Sequence, residues 1–377
     1  MSKYRTEEMA KTEKEREKQD LYEYWFANLP GIGRKKKREL LLSYREEELF
    51  WKEKKEWKNL LSIREWNRFC KETKPNNIEE TEEEFGQLLQ KGVRFLSFRH
   101  PAYPARLKLV PDAPLALYVK GQLPKEKKTI AIVGARTPSA YGREMARFFG
   151  RELARNGIGV ISGLATGIDV CAHKGALEAG KPTYGVLGCG VDVVYPRENF
   201  ITYEEMIEKG GILSEYKLKE EPMAYRFPER NRIISGLSDG VFVVEARERS
   251  GSLITADCGL EQGKDIFALP GRARDSLSEG CNWLIRQGAK LVTEPAHILE
   301  ELFPECEKNL KNTNNLDKLL DNKEKIVYDC LGLEPKYVED ILRETNLTVS
   351  EGISILFRLE LNGYIEQIVK DYYIVRL

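Results

Sequence analysis

The sequence predicts an α/β protein in which a doubly wound parallel sheet is flanked by an N-terminal helical module and a C-terminal winged-helix module. From Thr129 the chain repeats one unit, which consists of an apolar strand, a glycine-bearing turn and a helix. Strands that alternate with helices form parallel sheets through right-handed crossovers. Before this region, helical patterns surround a proline–glycine turn, and after it three helical stretches precede two short strands.

These patterns set the predicted boundaries. They are a charged tail at 1–20, a helix-hairpin-helix-like module at 21–85, the sheet domain at 90–303, a linker at 304–323 and the winged helix at 324–377. The predicted parallel strands are Ile130–Ala135, Gly159–Ser162, Thr183–Leu187, Ile212–Glu215, Val241–Glu245, Ile266–Leu269 and Lys290–Thr293. Two earlier stretches, Gly92–Phe98 and Leu115–Gly121, are expected to extend the same sheet.

The composition of the 377 residues argues against several protein classes. Lysine plus arginine equals aspartate plus glutamate, 60 against 60, so the charge of the whole chain gives no argument for nucleic acid. No apolar run reaches the roughly 18 to 20 residues of a membrane span, and a cytoplasmic protein without membrane contact is expected. The seven cysteines and three histidines are scattered, which predicts no metal site, no disulfide framework and no cofactor.

A helix-hairpin-helix pattern opens the helical module. Leu29–Gly33 lies between two helical patterns, and five basic residues, Arg34 to Arg38, begin the second. In such motifs the glycine turn, here Gly31 and Gly33, presents backbone amides to a DNA phosphate while the basic helix start supplies charge. The alternative is a helical hairpin with a solvated basic face.

The turns after the predicted strands are typical of a phosphate site, because ligands of such sheets bind at the carboxyl ends of the strands. Gly134 allows a close backbone approach, Arg136 offers a planar fork of donors, and Ser139 can cap the following helix. Glycine and hydroxyl residues recur in the turns after the second and fifth of these strands, as Ser162, Gly163, Ser250, Gly251, Ser252 and Thr255. Together they predict a cradle of backbone donors. An ordinary turn with a surface arginine is the alternative at Arg136.

The stretch from Tyr225 to Arg232 interleaves arginines with aromatic rings at a helix start. Guanidinium groups suit phosphates and rings suit base faces, so this pattern favours a single strand of nucleic acid. The candidate contacts are Arg226, Phe227, Arg230, Asn231 and Arg232. In the alternative interpretation Phe227 belongs to the core and the arginines are solvated.

Two further patterns favour structural roles. Asp169 and His173 lie four residues apart on a helix without a third ligand, which indicates a structural pair. Adding Ser162 gives no hydrolase, because a nucleophile elbow is missing. In the winged helix, the third helix, Ser350–Leu361, carries one arginine and two acids, so it is expected to bind protein or to regulate rather than to read a major groove.

With these residues in view, the chain closely resembles the DNA-processing protein A family (DprA, also called Smf). Its ordered motifs stand here as V-G-A-R-T-P-S-A-Y-G, S-G-L-A-T-G-I-D-V-C-A-H, Y-P-R-E-N, S-E-Y, F-P-E-R-N-R-I-I-S-G-L-S, V-V-E-A, S-G-S-L-I-T-A, L-P-G-R and N-W-L-I-R-Q-G-A. The resemblance implies an extended Rossmann-like fold that binds and protects single-stranded DNA and loads the recombinase RecA onto it during natural transformation. It also implies a homodimer and no catalytic activity.

The resemblance assigns residues by motif. The phosphate-binding G-S-R-x-x-S of the family corresponds to Gly134, Ala135, Arg136 and Ser139, with alanine replacing serine at 135. The basic and aromatic DNA contacts of the family map onto Arg226, Phe227, Arg230 and Arg232, and less directly onto Lys174 and Arg197. The family's dimer surface corresponds to Cys281–Leu291, with Cys281, Trp283, Leu284 and Leu291 as candidates.

Two alternatives to a DNA-binding protein are a nucleotide-sensing regulator and an enzyme. The broad fold resembles that of the lysine-decarboxylase-like nucleotide phosphoribohydrolases, which carry a P-G-G-x-G-T-x-x-E signature. The corresponding turn, Ser250–Thr255, lacks the paired glycines, and Glu261 is displaced from the signature's spacing. These departures argue against the enzyme.

Overall fold

A computed structural model of the chain describes residues 13–43, 56–72, 78–126, 128–304, 320–332 and 334–375. Of the predicted charged tail, residues 13–20 belong to the first helix and residues 1–12 lie outside this range. Residues 305–319 of the predicted linker also lie outside it.

The secondary structure before the parallel strands is mainly helical. Its helices are α1 (Glu13–Ala27), α2 (Arg34–Ser43), α3 (Ile63–Glu72), α4 (Ile78–Gln90) and α5 (Ala105–Lys108), with a 3-10 turn at Glu56–Asn59. Its strands are β1 (Val93–Ser97) and β2 (Ala116–Gly121).

In the central region strands alternate with helices. The strands are β3 (Thr129–Val133), β4 (Gly159–Ser162), β5 (Thr183–Leu187), β6 (Gly211–Ser214), β7 (Gly240–Val243), β8 (Asp265–Ala268) and β9 (Lys290–Leu291). The helices are α6 (Ala140–Arg155), α7 (Ile168–Glu178), α8 (Phe200–Lys209), α9 (Arg226–Gly236), α10 (Gly251–Glu261), α11 (Glu279–Arg286) and α12 (Pro295–Leu302), with a 3-10 turn at Arg197–Asn199. All seven predicted parallel strands are present, and their ends differ from the prediction by at most two residues.

The C-terminal region forms the predicted winged helix. Its elements are α13 (Asn322–Cys330), β10 (Lys336–Tyr337), α14 (Val338–Thr345), α15 (Val349–Leu361), β11 (Ile365–Val369) and β12 (Tyr372–Val375). The strands pair in the order β10-β12-β11. The sequence did not predict the two-residue strand β10, which is too short to show a periodicity.

The chain divides into two compact units. The first comprises Met1–Lys125 and Thr183–Leu237, and the second comprises Glu126–Pro182 and Ser238–Leu377. In the first unit the strands follow the order β1-β2-β6-β5. The two early strands extend the sheet as predicted, and they do so antiparallel, because β2 pairs antiparallel with both β1 and β6. An aromatic cluster that includes Trp25, Trp57 and Phe69 holds the helical module together.

In the second unit the strands β4-β3-β7-β8-β9 are all parallel. Their apolar faces pack against α6, where the rings of Phe149 and Phe242 lie 4.5 Å apart between centroids. Helices α6 and α7 approach so closely that a β-carbon at Gly175 would lie 2.0 Å from the carbonyl oxygen of Arg147. The prediction of an α/β fold with a mostly parallel sheet and a winged-helix module is therefore confirmed.

Candidate nucleic-acid interface

The turn between β3 and α6, in the second unit, is the first predicted phosphate site. A β-carbon at Gly134 would lie 2.9 Å from the carbonyl oxygen of Glu245, so glycine is required there. Ala135 is buried and its amide donates to that same oxygen at 2.7 Å. Arg136 is exposed. Ser139 caps α6, since its hydroxyl accepts a hydrogen bond from the amide of Gly142 at 3.0 Å, which confirms the predicted cap.

The carboxylate of Glu245 occupies the amino end of α6. It accepts hydrogen bonds from the amide of Ser139 at 2.9 Å and from the Ser139 hydroxyl at 2.5 Å. Glu245 is only 4 % exposed, and a β-carbon at Gly142 would lie 2.2 Å from its Oε2 atom. A negative charge at a helix start is stabilised by the backbone amides and the helix dipole. The protein itself therefore supplies the anion that the sequence pattern assigned to a ligand.

The turn after β4 is also satisfied from within the chain. The Ser162 hydroxyl is fully buried and donates to the carbonyl oxygen of Ile132 at 2.6 Å. The amide of Gly163 donates to the buried carboxylate of Asp169 at 3.1 Å. Asp169 thus holds the turn in place, in keeping with a structural role. The hydroxyl of Ser162 is directed to a backbone oxygen, which gives no support to a hydrolytic trio with Asp169 and His173.

The turn after β7 starts another helix. Ser250 caps α10, accepting from the amide of Ser252 at 3.4 Å, and the two hydroxyls lie 2.8 Å apart. The side chains of Ser252 and Thr255 are buried, whereas Gly251 is exposed. The hydroxyls of this turn therefore stabilise the start of the helix, and their contact with DNA stays a prediction.

In the first unit, aromatic rings and arginines gather at the start of α9. The rings of Tyr195 and Phe227 are stacked, with centroids 5.7 Å apart and an interplanar angle of 28°; we call this pair the aromatic platform. The ring of Phe227 packs against the backbone at Gly188, where a β-carbon would lie 3.0 Å from the ring. Tyr195 remains 42 % exposed. Sequence reasoning missed Tyr195 as a site residue, although it lies in the quoted Y-P-R-E-N motif.

Three side chains lie within two residues of the aromatic platform in the sequence: Tyr225, Arg226 and Arg197. The Arg226 guanidinium lies over the ring of Tyr216, 4.6 Å from its centroid, and pairs with Glu220 at 2.5 Å. Tyr225 is exposed. Arg197 follows Tyr195 by two residues and is also exposed. This part of the surface combines ring faces with positive charge.

The other predicted contacts of α9 are directed into the protein. Arg230, Asn231 and Arg232 are all buried. Arg230 donates to the carbonyl oxygen of Val186 at 2.5 Å. Arg232 forms two hydrogen bonds with Glu215, at 2.8 and 3.0 Å. Buried guanidinium groups with such partners hold elements together. Arg226, at the start of the helix, also pairs with Glu220 and keeps 12 % of its side chain exposed, so its contact with DNA stays a prediction.

The basic run of α2 likewise binds the protein. Arg34 pairs with Glu215 at 2.9 Å. Arg38 donates to the carbonyl oxygen of Pro111 at 2.8 Å. Lys37 is buried and donates to the carbonyl oxygen of Ala27 at 2.7 Å. Burial, together with the charge of Lys217, lowers the pKa of Lys37 to about 8.

The glycine turn before α2 packs against another helix. Gly31 has a positive φ of 80°, and a β-carbon on it would lie 2.8 Å from the backbone nitrogen of Phe69 in α3. Gly33 is exposed. The turn and the basic run thus favour the alternative of a structural helical hairpin, and DNA contact by Gly31 and Gly33 stays untested.

Some of the remaining predicted site residues are exposed and others are buried. Lys174 on α7 is exposed. Among the predicted dimer residues, Cys281 and Leu284 are core side chains, and burial raises the pKa of the Cys281 thiol to about 12. Trp283 and Leu291 are exposed, so a dimer surface in this segment would rest on those two.

The described ranges offer neither a metal site nor a membrane-spanning helix. Those residues include no group of three or more histidine, cysteine, aspartate or glutamate side chains arranged to hold a metal ion. No helix in the described part of the chain combines the length and apolar character needed to cross a membrane.

Comparison with known proteins decides the family. The family model of "DNA recombination-mediator protein A" matches residues 94–303, more than half of the chain. The chain belongs to this family. A second model, the DprA winged helix domain, matches residues 314–368. The resemblance drawn from the sequence motifs is therefore confirmed.

Other members of the DNA recombination-mediator protein A family are similar over much of their length. Protein Smf of Escherichia coli is 43% identical over 279 residues, which cover 72% of this chain and 74% of that protein. DNA processing protein DprA of Bacillus subtilis is 41% identical over 215 residues, 56% of this chain and 72% of that protein.

Solved structures of the family are similar in fold. The X-ray structure of DprA from Streptococcus pneumoniae has a TM-score of 0.66 and 34% identity, covering 75% of this chain and 98% of that one. A DprA structure from Helicobacter pylori, described for its single-stranded DNA binding mode, has a TM-score of 0.52 and 30% identity, covering 56% of this chain and 96% of that one.

Proposed function

We propose that the chain binds single-stranded DNA and acts, without catalysis, in the processing of DNA for recombination. The observation that carries the proposal is the aromatic platform, in which Tyr195 stacks on Phe227 and keeps 42 % of its surface open. Base stacking on aromatic side chains contributes about 1 to 3 kcal/mol per base and tolerates any sequence.

The charges beside the platform suit a nucleic-acid backbone. Arg226 and Arg197 lie next to the platform in sequence, and Arg197 is exposed. In the second unit Arg136 is exposed on a turn whose neighbouring donors are already bound to Glu245. Guanidinium groups pair well with phosphate oxygens, and such contacts position a strand without reading its bases.

Family membership supports the same ligand. The Helicobacter pylori relative is described as binding single-stranded DNA. We extend the proposal to the roles that the motif resemblance implies, namely protection of incoming single strands, loading of RecA onto them during transformation in the cytoplasm, and action as a homodimer. The description of the matched family as a recombination mediator supports the RecA partner.

The buried carboxylate at the start of α6 argues against the alternative that the chain binds or hydrolyses nucleotides. A cavity of about 660 Å³ in the second unit is lined by Ser139, Tyr141, Glu245, Arg272 and Asp275, among others. The buried carboxylate of Glu245 holds the helix start at which a nucleotide phosphate would bind, and like charges repel strongly where solvent is excluded. A phosphate-dependent hydrolase or sensor would need that position.

A salt titration of the purified chain with fluorescent oligo-dT tests the proposal. Because binding releases counterions from the phosphates, we expect the logarithm of the association constant to fall linearly with the logarithm of salt concentration. A duplex of the same length and a mixture of nucleoside monophosphates serve as controls. Failure to bind oligo-dT at low salt, or tighter binding of the mononucleotides, would contradict the proposal.

A further inference from the structure

The segment from Phe85 to Pro111, in the first unit, carries a concentration of positive charge outside the aromatic platform. It contains five lysine and arginine residues and no aspartate or glutamate, although the whole chain has 60 basic and 60 acidic residues. A local excess of one sign of charge creates a surface potential that attracts the opposite sign. The segment is therefore expected to attract an anion.

Two cations of this region lie over one aromatic ring. The guanidinium carbon of Arg38 on α2 lies 5.4 Å from the centroid of the Phe98 ring, and the ammonium nitrogen of Lys108 on α5 lies 5.7 Å from it. Lys108 also lies 5.9 Å from the centroid of the Tyr103 ring. Because aromatic faces attract cations, Phe98 keeps two like charges close together. A phosphate beside them would relieve their mutual repulsion.

These two cations keep their charge. Arg38 donates to the carbonyl oxygens of Val110 at 3.4 Å and Pro111 at 2.8 Å, and neutral oxygens fix its position without neutralising it. Arg34 differs, because its partner at 2.9 Å is the carboxylate of Glu215. Lys108 is exposed and Arg38 is half-buried. Both charges can therefore act on an anion at the surface.

Further charges converge on the loop that follows β1. Burial and the charges of Arg16, Arg94 and Lys108 lower the pKa of His100, so cations from α1, β1 and α5 surround that ring. The carboxylate of Asp20 faces the same ring at 4.0 Å and offsets one of these charges. The cations outnumber it, and the loop is positive.

The topology of the sheet places this loop at the same edge as the aromatic platform. The strand order in the first unit is β1-β2-β6-β5. Strands β1 and β5 both run parallel to β6, because β2 is antiparallel to β1 and to β6. Phe98 follows the carboxyl end of β1, and Gly188, against which Phe227 packs, follows the carboxyl end of β5. Three strand spacings, about 14 Å in all, separate these two ends.

Helix α9, which carries the platform at its start, also reaches the loop before β2. Its Arg232 pairs with Asp112 at 3.3 Å. The carboxylates of Asp112 and Glu229 lie at this edge, and both pair with Arg34, at 3.6 and 3.4 Å. Because arginine charge compensates these carboxylates, they do not strongly repel a phosphate backbone that passes them.

We propose that Arg38 and Lys108, held over Phe98, form a second phosphate site, and that a DNA strand seated on the aromatic platform continues to it. The inference rests on the proposed function and extends its binding site. Proteins that hold single strands of any sequence combine aromatic faces for the bases with a positive groove that follows the backbone. At about 3.4 Å per nucleotide, about four nucleotides would span the distance between the platform and the second site.

Fluorescence anisotropy with oligo-dT of about 16 nucleotides tests the second site. We expect Lys108→Ala to weaken binding about tenfold and to reduce the salt slope by about 0.7, because one phosphate contact is lost. Lys108→Arg keeps the charge and should bind like wild type. Lys209→Ala is the matched control, since Lys209 is an exposed lysine that ends α8 before β6, at the opposite edge of the same sheet.

The length of the strand separates the second site from the platform. In competition with progressively shorter oligo-dT, the loss in Lys108→Ala should shrink while the loss in Tyr195→Ala persists, because a short strand binds the platform alone. Wild-type affinity of Lys108→Ala for the long strand, an equal loss in Lys209→Ala, or a loss independent of length would overturn the second site even though Tyr195→Ala is impaired. If wild type bound no oligo-dT, or Tyr195→Ala bound like wild type, the proposed function itself would fail.

Discussion

The turn at the start of α6 and the aromatic platform both follow strands of the parallel sheet, and both carry residues that suit nucleic acid. At α6, the amide and hydroxyl of Ser139 are bound by the buried carboxylate of Glu245. At the platform, Tyr195 and Phe227 stack on each other while Tyr195 keeps an open face. The first region uses its donors to hold the fold, and the second leaves its rings accessible.

The difference teaches that a helix start with glycine and serine does not by itself identify a ligand site. Backbone amides at a helix start need an acceptor, and a ligand phosphate or a carboxylate of the same chain can supply it. A buried acid that ends a neighbouring strand distinguishes the two cases. Glu245 follows β7 in this way.

The largest expected effect comes from disrupting the helix start of α6. Replacing Glu245 with alanine removes two hydrogen bonds to a charged group, each of about 1.5 to 3 kcal/mol, so we expect the free energy of unfolding to fall by about 3 kcal/mol. The vacated helix start should then take an anion. Added sulfate should therefore stabilise the variant more than wild type in urea unfolding, whereas the exposed Glu248→Ala control should behave like wild type. Equal stability of Glu245→Ala and wild type would refute the role of this carboxylate.

A smaller effect, on DNA binding, is expected from a substitution in the turn between β3 and α6. Arg136 is an exposed residue of that turn. Its replacement by alanine should weaken oligo-dT binding about tenfold for every sequence, which is about 1.4 kcal/mol. Loss of one phosphate contact should also reduce the salt slope by about 0.7. Fluorescence anisotropy at several salt concentrations measures both quantities. Arg155→Ala, at an exposed arginine at the far end of α6, is the control, and an equal loss in both variants would argue against a specific contact.

The smallest effect concerns the basic run of α2. The pKa of Lys37 is about 8 in the folded chain and about 10.4 when unfolded, so the unfolded chain binds more protons between these values. The free energy of unfolding should then rise with pH across that window, by about 1 kcal/mol per pH unit. Urea unfolding at pH 8 and 9.5 should show this rise in wild type and in the exposed Lys35→Met control. The rise should be smaller in Lys37→Met; the same slope in all three proteins would be evidence against the buried lysine.

Much of the fold could be predicted because it depends on local patterns. Apolar runs of four to six residues between glycine turns predicted the seven parallel strands, and a serine before a helical pattern predicted the cap at Ser139. The partner of that serine could not be predicted, since Glu245 lies 106 residues later in the chain. The internal ion pair of the basic run could not be predicted for the same reason, because the carboxylate that binds Arg34 lies 181 residues away.

The candidate site was predicted in part. Arg226 and Arg232 belong to one arginine-rich stretch, but only the start of α9 is at the surface, and every residue from Arg230 to Gly236 is buried. The apolar residues that follow, Ile233 and Ile234, were the available signal that the helix enters the core. Tyr195 was missed because it comes from a different loop and meets Phe227 only in the folded chain.

The affinity of single-stranded DNA for platform variants tests the central claim most directly. In fluorescence anisotropy with oligo-dT, Tyr195→Ala should lose about 1 to 3 kcal/mol of binding free energy, whereas Tyr195→Phe, which keeps the ring, should bind like wild type. Circular dichroism and urea unfolding establish that both variants fold. Wild-type affinity in a folded Tyr195→Ala protein would contradict the account, because the open ring face would then contribute nothing to binding.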